Sequence, residues 1–116
     1  MGWLEMQIEK IVLDYLNAAL NVPVYLEKPE DQPNRYVLME KIGGSNKNFI
    51  NTATLTLQSY AESLFLASSL NEEVKEAMNN IISLDCIGKA KLNSDYNYTD
   101  KTKKKYRYQA VYDLTY

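Results

Sequence analysis

Histidine is absent from the 116 residues, and cysteine occurs once, as Cys86. Without an imidazole the chain lacks the side chain that most often moves protons near neutral pH. His-based nucleophilic catalysis and every His-containing zinc site are therefore excluded. A lone cysteine closes no internal disulfide and builds no thiolate cluster; between Asp85 and Ile87, in an apolar stretch, it reads as a small core residue. There are only three prolines and four glycines, and no apolar run approaches the ~18 residues that a membrane-spanning helix needs. The start, Met1 to Lys10, has no basic leader and carries Glu5 and Glu9, which does not fit a secretory signal. Met6 stands where a myristoylation signal wants Ser or Thr. Asn97-Tyr98-Thr99 is a glycosylation sequon with no signal to accompany it. These absences predict an intracellular product.

What is present is one soluble domain's worth of composition, 46% hydrophobic and 24% charged. A chain of this length buries roughly two thirds of its unfolded surface without help from disulfides or metal. Thirteen Lys and Arg against fifteen Asp and Glu leave a net charge of -2, which argues against a dedicated binder of nucleic acid or of an anionic membrane. Ten tyrosines are the one clear excess.

Leu4, Ile8, Ile11, Val12, Tyr15, Leu16 and Ala19 recur at spacings of three and four, so residues 3–21 form an amphipathic helix. Val22 to Leu26 switches to β-branched and aromatic residues, and Pro23 suits an edge strand. Pro29 and Pro33 mark a polar turn, after which Arg35 to Ile42 reads as an interior strand. Gly43 to Thr52 reads as a flexible loop, longer than a hairpin turn requires. Ala53, Leu55 and Leu57 alternate with Thr54, Thr56 and Gln58 as in a half-buried strand.

A second helix follows, with Ser63 as N-cap, an inward stripe of Leu66 or Ala67, Leu70, Val74, Ala77 or Met78 and Ile81, and Asn71, Glu72, Glu73, Lys75 and Glu76 outward. Residues 90–98 and 106–114 alternate again and pair as a hairpin through Thr99 to Lys104, with Tyr96, Tyr98, Tyr106, Tyr108 and Tyr112 on one face. The expectation is an α+β fold of order α-β-β-β-α-β-β: a mainly antiparallel five-stranded sheet, two helices on one face, in a single domain spanning residues 1–116.

Chemistry is sparse. Gly43-Gly44-Ser45 lacks the Gly-Lys-Ser/Thr ending of a P-loop and does not lead into a helix. Glu72, Glu73 and Glu76 form a solvated helix face, and Ser59, Ser68 and Ser69 have no base to activate them. No catalytic, cofactor-binding or metal-ligating residue is assigned. Asp100 to Lys105 with Arg107 is the one charge cluster; interleaved with tyrosines it could pair base stacking with phosphate contacts, or be a solvated tip whose lysines discourage aggregation.

Four blocks of the sequence carry a resemblance. They are Arg35-Tyr36-Val37-Leu38-Met39-Glu40-Lys41-Ile42-Gly43-Gly44, Ala53 to Ala61, Leu70-Asn71-Glu72-Glu73-Val74, and Leu92 to Asp100 with Tyr106 to Asp113. In that order they resemble the small tail-terminator, or tail-completion, proteins of long-tailed bacteriophages and Gram-positive prophages, over about residues 4–116.

The resemblance implies a non-enzymatic virion protein, needing no cofactor, that forms a ring, typically a hexamer, on the head-proximal end of the tail tube. Its partners would be copies of itself, the tube protein and the head connector or stopper. The expected interface residues are Gly43, Gly44, Asn46, Lys47 and Phe49 in the loop, and Lys101, Lys103, Lys104, Lys105 and Arg107 at the hairpin. Neither membrane contact nor specific nucleic-acid binding is expected. The alternatives are a head-completion or connector-stopper protein and, from another class, a small nucleic-acid binder using the basic tyrosine-rich hairpin.

Overall fold

The computed structural model describes residues 2–116, with side chains from Gln7 onward; Leu4, placed above on the apolar stripe of the first helix, falls outside the described side chains. Helix α1 (Gly2–Ala19) buries Ile8, Val12 and Leu16, one residue per turn along a single stripe. Near its end the Asn17 carboxamide accepts from the Val24 N–H at 3.0 Å and donates to the Val24 carbonyl at 3.2 Å, pinning strand β1 (Val24–Tyr25) beneath the helix. Proline at 23 suits that edge position, since only its carbonyl is used, accepting from the Val37 N–H at 3.0 Å.

Strands β2 (Tyr36–Lys47), β3 (Ile50–Ala61), β4 (Lys89–Asn97) and β5 (Tyr106–Thr115) complete a five-stranded sheet of order β1-β2-β3-β5-β4. Only the β1–β2 pair is parallel. Helix α2 (Leu64–Asn79) starts where Ser63 Oγ accepts from the Leu66 N–H at 3.2 Å, the cap expected from sequence. Val37, Met39, Ala53, Leu55, Leu57, Ala110, Tyr112 and Leu114 face the two helices and close the core against Ile8, Val12, Leu16, Leu70, Val74 and Met78. The architecture is the α+β sandwich anticipated, with a short 3-10 turn, Ile81–Ser83, added after α2. Among the described residues no helix is long and apolar enough to cross a membrane.

Four expectations need correction. The segment Gly43 to Thr52 is not a loop: β2 and β3 pair down to Lys47 opposite Ile50 and are joined by Asn48 and Phe49 alone, at φ 54 and 65. Two successive positive φ values make a primed turn whose twist matches the strands, so the ladder continues to its tip. Asn71 is not outward but 1% exposed, donating to Asp95 Oδ1 at 3.2 Å.

Cys86 is exposed in the turn leading to β4 rather than in the core. Nor do the tyrosines share a face, because the β4–β5 register shifts between Leu92 and Ser94. The extra residue, Asn93, moves Tyr96 and Tyr98 to the face without helices, while Tyr112 stays beneath α2, its hydroxyl donating to Asn79 Oδ1 at 2.9 Å.

Candidate functional site

The candidate residues fall into two groups at opposite ends of the sheet. Gly43, Gly44, Asn46, Lys47 and Phe49 lie on the β2–β3 arm, and Lys101 to Lys105 with Arg107 lie at the β4–β5 end, level with Tyr60 and Ala61. Eleven residue steps along β3 lead from Ile50 to Ala61, about 36 Å of strand, in a molecule 44 Å long. One chain cannot bring the two groups together.

On the arm, Phe49 at the turn is 99% exposed beside exposed Ile50, and Ile42 is exposed at the arm's base. Ile42 reaches solvent because the β2–β3 register shifts between Lys41 and Gly43 and leaves it as a bulge. Ser45 and Thr52 share a hydroxyl bond at 2.7 Å, and Asn46 donates to Asn51 Oδ1 at 2.7 Å. The two glycines differ sharply. A Cβ on Gly44 would stand 2.8 Å from the Thr52 carbonyl oxygen, whereas one on Gly43 would meet nothing closer than 4.0 Å. Gly44→Ala therefore loosens the arm and Gly43→Ala does not. Amide exchange over residues 45–51 should accelerate in the first variant and stay unchanged in the second, and equal exchange in both would refute the packing argument.

At the other end, Asp100 Oδ1 accepts from the Thr102 and Lys103 N–H groups at 3.1 and 3.2 Å and shapes the turn that carries the lysines. Lys101, Lys103 and Lys104 are exposed, while Lys105 donates to Gln32 Oε1 at 3.0 Å. Arg107 is committed elsewhere. Its Nη1 donates to the Tyr60 hydroxyl at 2.9 Å, its Nε to the Tyr98 carbonyl at 2.7 Å, and its guanidinium lies 4.5 Å from the Tyr98 ring centroid. It braces the sheet beneath the lysines rather than standing among them.

The open face between the two ends is polar and tightly bonded. Tyr36 stacks on Tyr60 at 4.6 Å and 7°, Tyr60 donates to Gln58 Oε1, Gln58 to Gln109 Oε1, and Gln109 to the Tyr96 hydroxyl. Thr54 and Asn93 both donate to the Asp113 carboxylate, at 2.7 and 3.0 Å, and hold its pKa below the usual value.

Burial, and then the neighbouring Tyr60, push the Tyr36 phenol up to about 12. A phenol whose folded pKa is raised favours the folded state fully below its unfolded value near 10, and that contribution is lost as pH rises towards 12. Tyr36→Phe should accordingly flatten the fall in stability between pH 10 and 12, read by denaturant titration at each pH. An unchanged slope would show that Tyr36 ionises freely in the folded protein.

A cleft of about 650 Å³ lies between α2 and β4, lined by Glu72, Glu73, Glu76, Lys75 and Tyr112. Lys75 bridges Glu72 and Asp95 at 3.0 and 3.3 Å. No three His, Cys, Asp or Glu residues gather as metal ligands among the described residues. Sequence reasoning missed Ile42 and Ile50 at the arm and Leu64 and Phe65 at the start of α2, all exposed. Ile42 could have been suspected from the glycine pair beside it, a frequent companion of a bulge. What these surfaces offer is contact: an apolar tip, a lysine cluster and strand edges. Comparison with known protein families finds no match, and comparison with curated proteins finds no relative.

Proposed function

We propose that the chain is a structural subunit of a bacteriophage or prophage tail, assembling as a ring, by resemblance a hexamer, that caps the head-proximal end of the tail tube. The ring stops tube polymerisation and docks the tail to the head connector. The observation that carries this reading is the separation of two unlike projecting surfaces on one elongated chain, the apolar-tipped β2–β3 arm and the lysine-bearing β4–β5 turn. Two such separated surfaces let a copy meet its neighbours at one end and a different partner at the other, and head-to-tail contacts between copies close into a ring when the rotation between them is an exact fraction of a turn. The resemblance of the four sequence blocks supports the same role.

Electron microscopy of the purified chain, mixed with purified bacteriophage tail-tube protein, tests the proposal. The expected result is a ring on one end of each tube. Rings that bind connector but never a tube end would instead favour the stopper reading. Salt-sensitive retention on DNA without rings would favour the nucleic-acid reading.

A further inference from the structure

Among the described residues, the sheet ends in two strand edges with no strand beside them. One is β2 beyond Leu38, since β1 covers only Val37 and Leu38. The other is β4, last in the sheet order. On β2 the outward direction can be read from its neighbour. Asn51 exchanges two backbone hydrogen bonds with Tyr116, at 3.2 and 2.9 Å, so its backbone faces away from β2. Asn46, opposite Asn51, therefore belongs to a non-hydrogen-bonded pair and points its own N–H and C=O outward from the sheet. Gly44, two residues earlier and opposite Ala53, does the same.

We propose that this edge, Gly44 to Asn46, takes β4 of a second copy, so that the contact between subunits is a continued antiparallel sheet. The identity of the occupant rests on the ring reading above. Strand direction favours it. From β2 through β3 and β5 to β4 every pair is antiparallel, so β4 runs opposite to β2. A copy set beside the edge with the same polarity, as a ring demands, presents β4 antiparallel without being inverted.

Side chains favour it too. The registers place Gly43, Thr54, Asp113 and Lys91 in one row, Gly44, Ala53, Leu114 and Ala90 in the next, and Ser45, Thr52, Thr115 and Lys89 in a third. At equal height, Lys89 and Lys91 of the incoming strand cross Ser45 and Gly43, which leave room for their stems. Glu40, exposed on the same face, stands diagonally within reach of the incoming Lys91. Gly43, which neither a turn nor a neighbouring atom within the chain requires, gains a purpose as the close-approach position opposite the incoming Lys91.

Two substitutions at one position test this. Asn46→Pro removes the outward N–H without removing a β2–β3 ladder bond, whereas Asn46→Ala removes only the side-chain bond to Asn51. Self-association, alone at high concentration or at tube ends, should be lost in Asn46→Pro and kept in Asn46→Ala. In a Cys86→Ser background, Ser45→Cys with Lys89→Cys should cross-link copies to one another on oxidation, and this reports the contact even if the proline variant folds poorly.

Rings that form normally in Asn46→Pro, or that give no cross-link, overturn the edge contact and leave the capping role standing. Copies that associate and cross-link through the edge but leave tube growth unaffected overturn the capping role and leave the edge contact standing. A wild-type chain that never self-associates overturns both.

Discussion

Leu55→Ala should destabilise the protein by about 2–5 kcal/mol, measured by denaturant unfolding. Leu55 is fully buried on β3, the strand held between β2 and β5, and faces the helices beside Tyr112. Its removal leaves a void that neither neighbouring strand closes readily, because β5 is held by ladder bonds on two sides and β2 by its long ladder with β3. Against a typical net stability of about 5–15 kcal/mol, that loss is a large share of the total. Exposed Thr or Gln substitutions at Ile42 should change stability by less than about 0.5 kcal/mol, since Ile42 stands 58% exposed in a bulge. Equal losses at the two positions would mean that the core is not where the structure places it.

Shortening Thr99–Lys105 to a two-residue turn should have the opposite signature, a near-normal stability with tail docking abolished. The tip is joined to the body by the Asp100–Lys105 bridge and by Lys105 donating to Gln32, and Lys101, Lys103 and Lys104 project into solvent. Exposed charges of this kind contribute little to folding but shape encounter and orientation with a partner. Arg107 must be kept, because its hydrogen bonds to Tyr60 and Tyr98 brace the sheet. Docking is read by co-sedimentation with tubes and connectors, and a trimmed variant that docks normally would remove the lysine turn from the interface.

The parts of the fold visible in the sequence are those where burial is one-sided. Ala53, Leu55 and Leu57 face helices while Thr54 and Gln58 face the open side, so their alternation reports the strand directly. Ser63 acts locally, through one bond to the Leu66 N–H, and was equally visible. The arm was not, because Gly43-Gly44-Ser45-Asn46 has the composition of a loop and its extended shape is imposed by pairing with β3. Nor does Asn48-Phe49 carry the glycine that usually marks a primed turn.

The two-faced distribution of tyrosines was hidden because one bulged residue, Asn93, inverts the alternation for the rest of β4, and no local signal announces it. The burial of Asn71 and the exposure of Cys86 escape the sequence for a related reason: which side of α2 meets Asp95, and where the turn after it runs, are decided by tertiary packing. Of the candidate residues, Lys101, Lys103, Lys104 and Phe49 stand exposed, Arg107 is drawn into bonds with Tyr60 and Tyr98, and Gly43, Gly44, Asn46 and Lys47 lie in β2 rather than in a loop.

The central claim is that this chain ends tail-tube growth, and tube length measured against added protein tests it most directly. With tube subunits elongating in excess, the mean length should fall as the chain is added, levelling off when about one ring is present per tube end, while Asn46→Pro leaves the tubes long. Tube lengths that do not respond to the wild-type chain at any ratio would contradict the account.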